Sequence, residues 1–212
     1  MAVNGPTAQS APANLQASAE RPLPHIDGRS LNMPNLITLS RLVLALVLFA
    51  MISFSQQWLA AAIVFVVAAA TDALDGFIAR RYGLITALGR ILDPFVDKII
   101  VCGAFLFLVA QLGSGVNAWM ALIVFSREMF ITSLRAFLEQ HGRDFSAVWA
   151  GKIKMFLQCV AVTVSLLSLD TRFDSHGFRL LRDVILWVTI AVTVYSGVSY
   201  TYRAYRMLRA PS

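Results

Sequence analysis

The stretch TDALDGFIARRYGLITALGRILDPFVDK, residues 71–98, governs the reading of the whole chain, because it sets four carboxylates among strongly apolar neighbours. Helical geometry over residues 60–80 puts Asp72 and Asp75 at i and i+3, with Gly76, Ala79 and Arg80 on the same face at i+4, i+7 and i+8. Asp93 and Asp97 stand at i and i+4 at the start of the next apolar segment. Two carboxylate pairs, on two helices joined by a short turn, can then face one another. An all-oxygen donor set of this kind suits one or two hard divalent cations, Mg²⁺ or Mn²⁺, and offers little to zinc, which favours nitrogen and sulfur. The competing reading is structural: Asp72 caps a helix start and the carboxylates pair with Arg80, Arg81, Arg90 and Lys98. It explains some of the charges but not their cost, about 2.5–3.5 kcal/mol for each aspartate inserted near the middle of a spanning helix.

The composition fixes the surroundings of that stretch. Of 212 residues, 58% are hydrophobic and only 14% charged, and the mean hydropathy is +0.67. A soluble domain has an apolar share nearer half, so the expectation is an all-α, polytopic integral membrane protein. The net charge of +6 does not point to nucleic acid, because the basic residues flank apolar segments and form no soluble patch. Anionic lipid headgroups and phosphorylated substrates fit better. Cys102 and Cys159 lie inside apolar runs without metal-ligand spacing and read as small core residues.

Residues 1–30 are rich in Ala, Pro, Ser and Gln and read as a disordered cytoplasmic tail, followed by a single six-helix domain over 31–212. Six apolar spans are expected, at about 36–54, 58–80, 93–112, 117–139, 148–169 and 181–204. Spans one and two, and spans three and four, are joined by segments without Lys or Arg. The opposite side carries Arg80, Arg81, Arg90, Arg143, Lys152, Lys154 and Arg203. By the positive-inside rule the aspartates face the cytoplasm, in a cell (inner) membrane, with the mitochondrial inner membrane as the second choice. Arg172, Arg179 and Arg182 break this pattern, and the connection that holds them is expected to lie along the membrane surface as a short amphipathic segment.

Asp72-x-x-Asp75-Gly76-x-x-Ala79-Arg80, then eight residues, then Gly89-x-x-x-Asp93-x-x-x-Asp97 resembles the signature of the CDP-alcohol phosphatidyltransferases at every one of its eight positions. The resemblance implies an enzyme with bound Mg²⁺ or Mn²⁺, two ions held by Asp72, Asp75, Asp93 and Asp97. It implies further that Asp97 is the catalytic base and that Asp72, Gly76, Ala79, Arg80 and Gly89 border the nucleotide. Upstream, Pro34, Asn35, Thr38 and Arg41 are similar to the family's Pro-Asn-x-x-Thr-x-x-Arg segment beside the diphosphate, although Pro34 and the asparagines also make an ordinary helix start.

Downstream, Arg127-Glu128 with Arg135, and Lys152 and Lys154 with Gln158, resemble motifs of the family's phosphatidylglycerophosphate synthase subgroup. Met155 stands where Thr is usual and Ala136 where an acid is usual. Arg127, Arg135, Lys152 and Lys154 are cations suited to an acceptor phosphate; their other reading is topology charge, with Arg127 and Glu128 as a structural pair. The substrates implied are CDP-diacylglycerol and sn-glycerol 3-phosphate, in a homodimer within membrane lipid. The alternatives are another acceptor (inositol phosphate, serine or phosphatidylglycerol) and, outside enzymes, a divalent-cation transporter, since intramembrane carboxylates also mark ion paths.

Overall fold

The computed structural model describes residues 33–82, 87–140 and 149–209, with side chains described outside 33–38, 72–82, 87–94, 97, 139, 149–152 and 208. The expected tail, residues 1–30, lies outside the described residues. Those described are helical throughout: α1 (Met33–Ala50), continued by a π-helical turn (Met51–Ser55), α2 (Trp58–Tyr82), α3 (Ala87–Val109), α4 (Ala118–Gln140), α5 (Trp149–Leu167), a 3-10 turn (Thr171–Phe173) and α6 (His176–Arg209). Each apolar segment read from the sequence coincides with one α-helix.

Two boundaries differ from the sequence expectation. Helix α3 begins at Ala87 and not at Asp93, so Asp93 and Asp97 stand one to three turns inside a helix whose opening turns, ALGRIL, set Gly89 and Arg90 among apolar residues. Hydropathy marks where a helix becomes apolar, not where its backbone hydrogen bonds start. The connection after α5 is also no separate amphipathic segment. Only Thr171–Phe173 forms a turn, with the Asp170 carboxylate accepting from Arg172 N. Ser175 Oγ then accepts from Phe178 N at 3.2 Å, the N-cap that starts α6 at His176. Asn117 does the same for α4, its Oδ1 accepting from Met120 N at 2.9 Å.

Helix α1 packs on α2 and α3, α5 on α2, α3 and α6, and α4 on α3 and α6. The aspartate-bearing helices α2 and α3 are therefore braced jointly by α1 and α5, each of which packs on both. Leu48, Phe65, Phe105, Leu108, Leu166 and Leu186 fill the centre, fully buried. Ala45, Ala61, Ala68, Ala104 and Ala161 are also buried, and their small side chains let neighbouring backbones approach closely. A second cluster, Ile131, Leu138, Tyr200 and Ala204, joins α4 to the last part of α6.

The outward faces are apolar as well. Leu46 on α1, Ile63 on α2, Leu106 on α3, Trp119 on α4, Phe156 on α5 and Trp187 on α6 are all exposed, where a helix of a soluble domain presents charged and polar residues. The segment His176–Met207 is long and apolar enough to cross a membrane; Leu39–Ser55, Trp58–Thr71, Lys98–Val109 and Ile153–Leu167 are shorter apolar helices.

The end of the bundle away from the aspartates is closed by Arg182. Its side chain is buried on α6, and Nη1 donates to Gly113 O and, at 3.2 Å, to Ser168 Oγ. Nε and Nη2 reach Asp183 Oδ1 at 2.9 and 2.8 Å. One guanidinium thus ties the α3–α4 loop to the C-terminus of α5. Gly115 in that loop has φ +76° and lies so close that a Cβ there would overlap Arg182 Nε.

Candidate active site

At the other end the backbone brings the signature residues onto adjoining helices. Asp72, Asp75, Gly76, Ala79 and Arg80 occupy the last turns of α2, while Gly89, Asp93 and Asp97 follow at four-residue steps along the first turns of α3. Residues four apart share a helix face. Pro34, Asn35, Thr38 and Arg41 lie in the first turns of α1, the helix that packs on both α2 and α3. Arg41 is buried, 3% exposed. The side chains of Pro34, Asn35, Thr38, Asp72, Asp75, Gly76, Ala79, Arg80, Gly89, Asp93, Asp97 and Lys152 lie outside the described ones, so their expected contacts rest on helix register alone.

The cations on α4 and α5 are described in side-chain detail. Glu128 is buried in α4, and its Oε1 accepts from Lys154 Nζ of α5 and, at 3.1 Å, from Arg127 Nη1. Two cations against one carboxylate leave this cluster one net positive charge. Lys154 is 6% exposed, so its charge is carried within the bundle and not on its surface. Arg127 also lies over the Tyr200 ring, with Cζ 5.6 Å from the centroid, a favourable cation–π distance. Behind it Gly197 leaves room, since a Cβ there would sit 3.3 Å from Arg127 Cγ. Gln158 Nε2 is 3.5 Å from Thr193 Oγ1 and helps hold α5 on α6.

What these groups leave unsatisfied bears on chemistry. Arg127 Nε and Arg135 Nε are both buried and lack a hydrogen-bond partner among the described residues. A guanidinium offers five N–H donors in a fixed fork that fits phosphate or carboxylate, and a buried donor left unmade costs about 1–3 kcal/mol. Donors left open in this way are able to take an anion. Arg127 also forms part of the wall of an open, largely apolar groove of about 730 Å³ between α4 and α6, with Phe130, Val194, Val198 and Tyr202.

The sequence offered Arg127 and Glu128 as a pair only in the alternative, structural reading; the bridge from Glu128 across to Lys154 was not read from it. The only available signal was a lone acid beside an arginine in an apolar run, facing a helix that carries a lysine in a similar run. The pairing itself depends on how α3 and α6, on which both helices pack, set α4 beside α5.

Comparison with known proteins agrees with the signature. The family profile described as CDP-alcohol phosphatidyltransferase matches residues 31–195. A Bacillus subtilis protein named CDP-diacylglycerol--glycerol-3-phosphate 3-phosphatidyltransferase is 34% identical over 192 residues, 84% of this chain and 97% of its own length. A Yersinia pestis protein of the same name is 35% identical over 185 residues, 85% of this chain and 99% of its own. A Mycobacterium tuberculosis protein named probable phosphatidylglycerophosphate synthase is 32% identical over 200 residues, 91% of this chain and 92% of its own. With a profile match over most of the chain and relatives aligned nearly end to end, this protein is an enzyme that belongs to the CDP-alcohol phosphatidyltransferase family.

Proposed function

We propose that the chain transfers the phosphatidyl group of CDP-diacylglycerol to sn-glycerol 3-phosphate, forming phosphatidylglycerophosphate and releasing CMP. The observation that carries the choice of acceptor is the cationic cluster on α4 and α5, with buried guanidinium donors unmade, beside the helix that bears Asp93 and Asp97. The names of the relatives point the same way. An acceptor without an anionic group would leave those donors unfilled.

In this reading the acceptor hydroxyl attacks the β-phosphorus, a new P–O bond forms, the bond to CMP breaks, and the hydroxyl proton passes to Asp97. Asp72, Asp75, Asp93 and Asp97 supply an all-oxygen set that fits one or two Mg²⁺ or Mn²⁺ ions. Such ions, when bound, draw charge from the diphosphate and stabilise the CMP leaving group. Arg127, Arg135, Lys152 and Lys154 hold the acceptor phosphate. Arg80 and Arg41 serve the donor's phosphates, while Gly76 and Ala79 leave room for the nucleotide near the α2 backbone. Pro34, Asn35, Thr38 and Gly89 border the same nucleotide site.

The same proposal includes six membrane spans, one per α-helix, with the aspartates on the cytoplasmic face, the tail 1–30 on that side, and a homodimer in the bilayer. Apolar outward faces on all six α-helices support it, because lipid tails impose no preference for a polar outer stripe. Purified protein given CDP-diacylglycerol and a panel of acceptors should release CMP fastest with glycerol 3-phosphate. Faster release with inositol phosphate, serine or phosphatidylglycerol would replace that acceptor, and cation flux without CMP release would favour a transporter. For orientation, a cysteine at Gln56 or at Leu112, which is 99% exposed, should react with an impermeant reagent from outside the cell, and one at Arg143 should not.

A further inference from the structure

We propose that Glu128 is a positioning residue for the acceptor: its carboxylate fixes the Lys154 ammonium and the Arg127 guanidinium as a pair whose remaining N–H groups receive the acceptor phosphate. This rests on the reading that the acceptor carries a phosphate.

Three features separate this arrangement from an ordinary structural salt bridge. The first is its charge: two cations share one buried oxygen, and the cluster keeps a net positive charge inside the bundle. A closed structural pair balances its charges, because burying an excess is costly. The second is satisfaction. Lys154 has three donors and Arg127 five, yet Glu128 takes one hydrogen bond from each, and Arg127 Nε has no partner among the described residues. The third is location: α4 and α5, which the cluster joins, both pack on α3, the helix of Asp93 and Asp97.

The electrostatics give the carboxylate its purpose. A phosphate dianion bound next to Glu128 is repelled by it, so a site built only for affinity would omit it. Without it, however, Lys154 and Arg127 repel each other across a short distance in low dielectric, and each would swing away along its flexible stem. Holding both side chains in place beforehand removes an ordering cost from substrate binding. It also sets the acceptor at one distance from the reacting phosphorus, which is where most of the benefit of orientation lies.

The test is kinetic, in membranes or detergent with the full chain. Glu128→Gln keeps the shape and loses the charge. It should raise the KM for glycerol 3-phosphate by about 10-fold or more and leave that for CDP-diacylglycerol within about twofold. Lys154→Met alone should raise the same KM, and Glu128→Gln with Lys154→Met should raise it by less than the product of the two single effects, because Glu128 acts in part through the lysine. The double variant leaves one cation, Arg127, without its carboxylate where Glu128→Gln leaves two, so its comparison with Lys154→Met decides the matter if Glu128→Gln does not fold. Mn²⁺-dependent CMP binding, measured by calorimetry, checks that each variant is intact. An unchanged acceptor KM in Glu128→Gln, effects that multiply in the double variant, or equal changes in both KM values would overturn the proposal. If wild-type protein prefers an acceptor without phosphate, the acceptor assignment itself has failed, and the wild-type panel shows that before any variant is compared.

Discussion

Both ends of the bundle contain arginines with buried guanidinium nitrogens, and they are treated differently. At the end away from the aspartates, Arg182 uses Nε, Nη1 and Nη2, reaching a carbonyl, a hydroxyl and a carboxylate on three segments. At the aspartate end, Arg127 and Arg135 keep buried Nε atoms without a partner among the described residues. A guanidinium with its donors filled by the protein is a fastener. One with donors left open carries a standing cost of about 1–3 kcal/mol per group and is able to take an anion, as proposed above. The contrast teaches that topology counting alone, which sets Arg182 down as an exception to the positive-inside pattern and Arg127 as conforming to it, sorts these residues by side and misses their role.

The largest effect that can break this comparison lies among the carboxylates. Asp97→Asn should keep much of the Mn²⁺-dependent CMP binding and lose turnover by about 10²–10⁴-fold if the residue acts as the base. Asp75→Asn should weaken metal and nucleotide binding together, because it removes a charged oxygen ligand. Calorimetry of CMP binding beside initial rates separates the two. Equal loss of binding in both variants would make Asp97 an ordinary ligand.

Next in size is the fastener. Arg182→Met removes charge-assisted hydrogen bonds, leaving Gly113 O and Ser168 Oγ unfilled. With Asp183 half-exposed and screened, a cost of about 2–3 kcal/mol is expected, or about 4–12 °C in Tm for a chain of this size. Neither KM should move. Gly115→Ala should reach the same outcome by pressing on the Arg182 Nε and straining a positive φ. A selective rise in the acceptor KM from either substitution would erase the distinction between the ends.

How much of this was legible in the sequence follows from the range over which each signal acts. Asp72, Asp75, Asp93 and Asp97 were legible because their spacing is local: three or four residues on a helix fix a face without reference to anything else. The six helices were legible through their apolar runs. The true starts of α3 at Ala87 and of α6 at His176 were not, because opening turns that mix apolar residues with glycine and charge do not stand out in hydropathy, and the start of α6 depends on a cap, Ser175. The Glu128 bridge to Lys154 and the reach of Arg182 to Gly113 were hidden for a different reason. Each joins residues far apart in sequence, 26 and 69 positions respectively, and exists only once the helices have packed.

A smaller and more selective effect is expected from Arg135. Glycerol 3-phosphate has little apolar surface, so its affinity comes from charge-assisted hydrogen bonds, each worth about 1.5–3 kcal/mol. Losing one should raise the acceptor KM of Arg135→Ala by about 10-fold or more and leave the KM for CDP-diacylglycerol nearly unchanged. Inorganic phosphate at high concentration should compete with the acceptor and not with the lipid. If the substitution lowers only the amount of folded protein, Arg135 belongs with Arg182 as a fastener despite its open Nε.

The smallest effect sharpens the comparison most, because it applies one change to matched positions. A glycine faces an arginine at each end, Gly115 toward Arg182 and Gly197 toward Arg127. At Gly197 an added Cβ would stand 3.3 Å from Arg127 Cγ, tight enough that the side chain must give by a few tenths of an ångström. The helix itself has no objection, since alanine is favoured over glycine there by about 1 kcal/mol. Gly197→Ala should therefore leave Tm unchanged or slightly raised while shifting the guanidinium against its Tyr200 and Glu128 contacts. A misplacement on this scale, weakening one charged hydrogen bond without removing it, should raise the acceptor KM about two- to fourfold, equivalent to about 0.4–0.8 kcal/mol. Gly115→Ala should do the reverse, lowering Tm and sparing the KM. If Gly197→Ala instead destabilises the protein with both KM values intact, Arg127 is held for packing on Tyr200, and the open donor beside it is not a substrate contact.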